Sequence, residues 1–165
     1  MDSSKLNDWL QVVGLFTVVA SLIFVGFQLK QTQQIAIAGH YLDQATLVVE
    51  STSAQMQNEP LLQYYGERLL ASGQFPGFEE ADPRFIAARV YAARNSMTML
   101  DNDHFQYEAG FQSEEAWQSN REILKRILKG PIGRYVFEEG RDTERASFRV
   151  LCDELIRELE AGAAN

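Results

Sequence analysis

Two histidines, each with acidic residues at helical spacing, are the side chains of this sequence best suited to chemistry. Asp101, His104 and Glu108 stand at i, i+3 and i+7, so one face of a helix can present all three. His40 and Asp43 repeat the i, i+3 spacing earlier in the chain. Two helices that each contribute an imidazole and a carboxylate resemble half of a carboxylate-bridged metal site. The alternatives are solvated polar faces or a histidine–carboxylate hydrogen bond.

The rest of the sequence offers no pattern for catalysis. It contains no Gly-x-Ser-x-Gly, no P-loop and no dinucleotide-binding fingerprint. The single cysteine, Cys152, excludes an internal disulfide and a multi-cysteine zinc site, and the apolar helical pattern around it predicts a buried small side chain. We therefore expect no cofactor, and the sequence leans away from an enzyme.

An aromatic group near the centre of the chain has two interpretations. Gln106, Tyr107 and Trp117 flank a turn predicted at Gly110, which favours a packing corner where one helix ends and the next begins. In that corner the tyrosine hydroxyl would cap a backbone group. The alternative is a ligand pocket lined by Tyr107, Trp117 and Asn102.

The elements that must position these side chains are all predicted to be helices. Apolar or small residues recur at alternating spacings of three and four from Ile35 to Met56. This pattern predicts a helix that reaches about Glu59 and packs against later helices of the same chain. The predicted N-caps Asp82 and Ser113, together with prolines and glycines, delimit the later elements. These are helices over about 61–72, 83–108, 113–129 and 143–160, with a short segment over 132–139. No strand pattern appears, so the predicted fold class is all-α, with an antiparallel helical bundle.

Residues 9–29 form an apolar run without a charged side chain. A helix of roughly 20 apolar residues crosses a bilayer, and Trp9 and Lys30 stand where interfacial anchors are expected. We therefore predict an amino-terminal flank over 1–8, a transmembrane helix over 9–30 that continues into the long helix, and an α-helical soluble domain over 31–165.

Two other interpretations of the apolar run stay open. The small residues around Ala36 and Ala38 look like a signal-peptide cleavage site, but the run is longer than the about 7–15 residues usual for a signal. The acidic residues Asp2 and Asp8 also oppose a signal peptide. The second alternative is a buried core helix, which would be apolar all round as well.

One face of the predicted span carries small and polar residues. Gly14, Thr17, Ser21 and Gln28 share this face, whereas Phe16 and other large apolar residues lie on the opposite side. Helices in lipid associate through close backbone approach and interhelical hydrogen bonds. The small-residue face is therefore the predicted contact with a second copy of this chain or with another membrane protein.

The net charge of −8 belongs entirely to the residues after the span. Nucleic acids and anionic membrane surfaces are bound by clustered Lys and Arg side chains, which this acidic composition does not supply. We expect the bilayer as a partner and no nucleic acid.

Two patches of the sequence resemble a widespread group of bacterial proteins of uncharacterised activity. The patches are Val18-Val19-Ala20-Ser21-Leu22-Ile23-Phe24-Val25 with Gln28 and Gln31-Thr32, and Asp101-Asn102, Phe105-Gln106-Tyr107, Gly110-Phe111 and Trp117. Relatives typically carry Glu-Asn in place of Asp101-Asn102, and arginines where this chain has glutamines after the span. The resemblance implies a single amino-terminal anchor in the cell inner membrane and a helical domain on the cytoplasmic side. It implies no mechanism.

Together these features predict a single-pass membrane protein that works as an interaction or structural module, as a homo-oligomer or as an accessory subunit of a membrane complex. The alternative from a different class is a membrane-tethered enzyme or metal-binding protein. It would use His40, Asp43, Asp101, His104 and Glu108.

Overall fold

The computed structural model describes the backbone of residues 3–163 and the side chains of residues 7–163. Within this range every element is a helix, and no strand forms. The helices are α1 (Ser3–Met56), α2 (Glu59–Ala71), α3 (Pro83–Glu108), α4 (Glu114–Lys129), α5 (Pro131–Gly140) and α6 (Ala146–Ala163). The predicted all-α class is confirmed, including the continuation of the amino-terminal helix well beyond residue 30.

The chain forms two compact units, Met1–His40 and Tyr41–Asn165. In the first unit, every side chain from residue 7 to residue 37 is exposed. Trp9, Phe16 and Phe27 are 72%, 70% and 69% exposed. This part of α1 is long and apolar enough to cross a membrane, and it lies near the amino terminus of the chain.

The second unit begins with the last turns of α1, which present one face to the other helices. Ala45 and Thr52 are buried, and Val49 and Met56 are half-buried. These four residues keep the predicted alternation of four and three positions. Met56 packs against a small cluster of Leu62, Ala87 and Tyr91, which joins α2 to α3. The sequence thus correctly predicted that this face of α1 packs against helices of its own chain.

Local signals delimit the helices of the second unit. Asp82 accepts a hydrogen bond from the amide of Arg84, and Ser113 accepts one from Ala116, so each caps its helix as predicted. Asn58 caps α2 in the same way, a role that the sequence interpretation missed. Gly110 has a φ of +79°, a conformation that favours glycine, and it ends the α3 region where predicted.

The main core lies among α2 to α6. Its largest fully buried side chains include Ile86, Met97, Leu124, Phe137 and Phe148. Close backbone approach supports this packing in two places. A Cβ atom at Gly66 would lie 1.9 Å from the carbonyl oxygen of Pro83, and one at Gly133 would lie 2.0 Å from that of Ile127. Glycine is therefore required where α2 meets the start of α3 and where α5 meets α4.

The last helix begins at Ala146, not near Thr143 as predicted. The hydroxyl and the amide of Thr143 both donate to the carbonyl oxygen of Gly140, at 2.7 and 2.8 Å. Because these bonds point back toward α5, Thr143 closes a turn after α5 and does not cap α6.

Candidate functional site

The predicted Asp101, His104 and Glu108 do share one face of α3, and a distant arginine lies against them. The Arg145 guanidinium is 2.8 Å from Asp101 Oδ1 and 3.2 Å from Glu108 Oε2, and it also donates to the backbone oxygen of Asp101. The Ser147 hydroxyl donates to Glu108 at 2.9 Å. Arg145, just before α6, and Ser147, in its first turn, thereby link this part of the chain to the predicted face of α3.

The arginine supplies the positive charge that this pair of carboxylates needs. Burial raises the pKa of Asp101, and the hydrogen bond from Arg145 acts against that rise. Burial lowers the pKa of His104, while the nearby Glu108 carboxylate opposes the change. A neutral imidazole is therefore favoured. Its ring lies near the Trp117 ring, with a centroid distance of 4.9 Å and the planes tilted by 36°. The chemistry of this arrangement is that of an ion pair joining two helices.

Metal binding finds no geometric support among the described side chains. Between residues 7 and 163, no group of three His, Cys, Asp or Glu residues is arranged to hold a metal ion. His40 belongs to the first unit and Asp43 to the second, and both are exposed. The metal alternative remains a prediction from spacing alone.

The aromatic corner forms as a packing feature. Tyr107 and Trp117 stack with their planes at 16° and their centroids 5.5 Å apart, and Trp117 is buried. The detail of the hydroxyl was wrong, because it donates to the Glu114 carboxylate and not to a backbone group. Tyr107 thus links the end of α3 to the first turn of α4 across the Gly110 turn.

A cavity of about 510 Å³ lies beside the ion-paired cluster. We call it the acidic groove, because its lining contains the three carboxylates Asp101, Glu139 and Glu144. Arg94 also lines it and is ion-paired with Glu139. Its remaining lining residues are Val48, Met97, Thr98, Val136, Gly140 and Thr143. Two of the three carboxylates are thus ion-paired with an arginine, Glu139 with Arg94 and Asp101 with Arg145, and Glu144 lies beside them.

Glu144 is the most perturbed acid of the groove. Burial raises its pKa from 4.5 to about 7, with a further contribution from the Asp101 charge, and Arg145 opposes the rise. A carboxyl group that changes its protonation near neutral pH can exchange a proton with a ligand or respond to pH. Apart from the hydroxyls of Thr98 and Thr143, no nucleophile lines the groove. The groove is therefore a candidate binding site with one titratable group.

Cys152 is buried and has no disulfide partner, as predicted. Burial raises the pKa of its thiol, so the unreactive protonated form is favoured. Cys152 fills space in the core.

Two residues of the candidate site were not identified in the sequence. Arg145 lies 44 and 37 positions from its partners Asp101 and Glu108, so no local spacing connects them. Glu144 sits next to Arg145 in the turn before α6, where its type and position resemble an ordinary solvated acid. Only the folding of the α5–α6 turn onto α3 brings both residues to the groove.

The geometry defines a class, an all-α helical unit whose chain also carries an apolar helix that could span a membrane. Comparison with family models, with curated proteins and with solved structures finds no match for the chain. The resemblance to bacterial single-anchor proteins therefore stays a prediction.

Proposed function

We propose that the protein is a single-pass membrane protein whose helical unit acts as an interaction or structural module. It works as a homo-oligomer or as an accessory subunit of a larger membrane complex. Its membrane is the bacterial inner membrane, and the helical unit lies on the cytoplasmic side. The last two points depend on the resemblance to bacterial anchored proteins.

The proposal is carried by one observation, the exposed apolar surface of the first part of α1. An 18-residue window there has a mean hydropathy of 2.3, and none of it is buried by the rest of the chain. A soluble monomer rarely exposes a continuous apolar surface of this extent. A bilayer covers such a surface at a favourable free energy, because apolar side chains leave water while the helix satisfies its own backbone hydrogen bonds.

The small-residue face of Gly14, Thr17, Ser21 and Gln28 supports a protein partner within the bilayer. The hydroxyls of Thr17 and Ser21 donate to the carbonyl oxygens of Val13 and Thr17 in the same helix, both at 2.8 Å. A Cβ atom at Gly14 would meet nothing within 4 Å. With its hydroxyl donors satisfied internally, this face offers close approach to a second helix, and packing is the main contribution that we expect from it.

The experiment measures the mass of the full chain after mild detergent extraction. We expect an assembly larger than one chain, formed with itself or with a co-purifying membrane protein. Gly14→Leu and Ser21→Leu should each shift the assembly toward the single chain by about tenfold in the equilibrium constant, or ~1.4 kcal/mol. The side chains added at these positions would keep the two helices apart.

Val19→Leu is the matched control, because Val19 lies on the predicted lipid-facing side of the same helix. This change should leave the assembly intact. A single chain in mild detergent, with its mass unchanged by all three substitutions, would overturn the proposal that the span makes a protein contact.

A further inference from the structure

A second cavity, of about 400 Å³, differs from the acidic groove in charge and in position. We call it the cationic cavity. Residues of α3, the end of α4 and the first turn of α5 line it, and its only charged side chains are Arg89 and Arg126. No acidic residue contributes to its wall, although the protein as a whole has a net charge of −8. A locally positive cavity in an acidic protein is the feature to be explained.

Neither of these arginines has a carboxylate partner among the described side chains. Other arginines on the same two helices are ion-paired: Arg121 on α4 lies 2.7 Å from Glu158, and Arg94 on α3 contacts Glu139. Within residues 7–163 neither Arg89 nor Arg126 has an ion pair, and the Arg89 guanidinium lies over the Phe85 ring, 5.8 Å from its centroid. The cavity therefore gathers two guanidinium groups whose hydrogen-bond donors are open to a ligand.

The rest of the wall favours an apolar group beside the anion. Phe78, Ile127 and Pro131 contribute apolar surface, and the volume is in the range of small-molecule sites. The Ser96 hydroxyl also lines the cavity but donates to the carbonyl oxygen of Ala92 at 3.0 Å, so it adds no donor. Two planar cations beside an apolar wall match a ligand with a compact anionic head and an apolar body.

We infer that the cationic cavity binds a phosphate monoester that carries an apolar group, with Arg89 and Arg126 holding the phosphate. Arginine presents several donors in a fixed planar geometry that suits phosphate oxygens, and a doubly charged phosphate offsets both guanidinium charges. The ester can be a soluble metabolite or the headgroup of a lipid such as phosphatidic acid, since both offer the same chemistry.

The test is a titration of the full chain in detergent micelles with phenyl phosphate, followed by calorimetry. We expect saturable binding, at least tenfold tighter than the binding of inorganic phosphate, because the phenyl ring contacts the apolar wall. Arg89→Gln and Arg126→Gln should each weaken binding at least tenfold. A parallel titration uses the chain in nanodiscs with and without phosphatidic acid. Saturable binding to that lipid alone identifies a headgroup as the ligand, and binding of phenyl phosphate identifies a soluble ester.

Lys129→Gln provides the control, because it removes one positive charge from the last turn of α4 without touching the cavity. Its effect on affinity should be less than twofold, and circular dichroism should show that all three variants fold. Absence of saturable binding both to phenyl phosphate and to phosphatidic acid would overturn the inference. An equal loss of affinity with Lys129→Gln would also overturn it, since the binding would then be a general charge effect. If phenyl phosphate and inorganic phosphate bound with equal affinity, the cavity would not recognise an apolar group, and this part of the inference would be overturned.

Discussion

The two units of this chain use the same kinds of apolar side chain in opposite ways. In the first unit Phe16 and Phe27 are 70% and 69% exposed, whereas Phe137 and Phe148 in the second unit are 1% and 0% exposed. Both units are helical, so secondary structure does not explain the difference. The explanation lies in the charged residues, which are absent from 9–29 and frequent on the outer surface of the second unit.

The outer surface of the second unit is crossed by ion pairs between helices. Arg121 and Lys125 on α4 both contact Glu158 on α6, and Arg141 contacts Asp153. Such exposed pairs contribute little individually to stability, but they keep the surface soluble. The first unit has no comparable polar surface along its apolar run. The second unit thus buries its apolar side chains in its own core, whereas the apolar window of the first unit is not buried by the described part of the chain.

The largest effect should come from placing charge in the first unit. The double substitution Val18→Asp with Leu22→Asp puts two carboxylates near the centre of the predicted span, each costing about 3 kcal/mol in a bilayer. We expect the protein to leave the membrane fraction or to become extractable by alkaline carbonate, as measured by fractionation of expressing cells. Val150→Asp changes a side chain that is 57% exposed on α6, and the protein should stay in the membrane fraction. Equal membrane retention of the double variant and the control would contradict the comparison.

The second-largest effect should come from removing a large side chain from the core of the second unit. Phe148→Ala removes a fully buried ring from α6 and should lower the free energy of unfolding by about 3–5 kcal/mol. The neighbouring Val150→Ala should change it by less than about 0.5 kcal/mol, because Val150 is an exposed surface residue. Chemical denaturation of the full chain in micelles, followed by circular dichroism, measures both. Similar losses for the two variants would show that α6 does not pack as described.

A smaller effect is expected from replacing a glycine at which the backbones of two helices lie in close contact. Gly66→Ala places a Cβ atom against the Pro83 carbonyl and should lower stability by about 1–3 kcal/mol. Gly162→Ala adds a methyl group where nothing lies within 4 Å, and it should be neutral or slightly stabilising in the same helical conformation. Thermal unfolding of both variants measures the difference. A neutral Gly66→Ala would mean that α2 and α3 are not in backbone contact there.

The smallest effect concerns the acidic groove and depends on pH. The folded state raises the pKa of Glu144 from 4.5 to about 7, so it binds that proton more tightly than the unfolded chain does. The resulting stabilisation is fully present below about pH 4.5 and is lost as the pH rises through 7. Glu144→Gln removes the ionisation and should stabilise the protein at pH 8 by about 1–2 kcal/mol, since the side chain is partly exposed. At pH 5 its effect should be small.

Denaturation at pH 5 and pH 8 measures this difference, and the variant Glu154→Gln, at an exposed acid of α6, serves as the control. Asp101 and Arg145 affect the pKa of the same carboxyl group, and Arg94 and Glu139 line the same groove. None of these four residues is substituted in the experiment. A stabilisation by Glu144→Gln that is equal at both pH values would show that Glu144 does not titrate in this range.

Local signals in the sequence predicted most of the fold. Asp82, Ser113 and Gly110 act within a few residues of their own position, so their meaning could be derived without the tertiary structure. The start of α6 was predicted too early, because Thr143 donates to the Gly140 carbonyl and belongs to the turn after α5. The ion pair between Asp101 and Arg145 and the raised pKa of Glu144 depend on contacts between elements that are far apart in the sequence. The spacing of apolar residues along the chain does not predict such contacts.

The central claim, that residues 9–30 cross a membrane, can be tested directly because the chain has a single cysteine and that cysteine is buried. Asn7→Cys and Gln34→Cys place exposed thiols on the two flanks of the predicted span, and the wild-type chain should not react. Sealed inner-membrane vesicles of known orientation are treated with a membrane-impermeant maleimide. The claim predicts that one of the two variants is labelled in intact vesicles and that both are labelled after detergent is added. Labelling of both variants in intact vesicles would place the flanks on one side and contradict it.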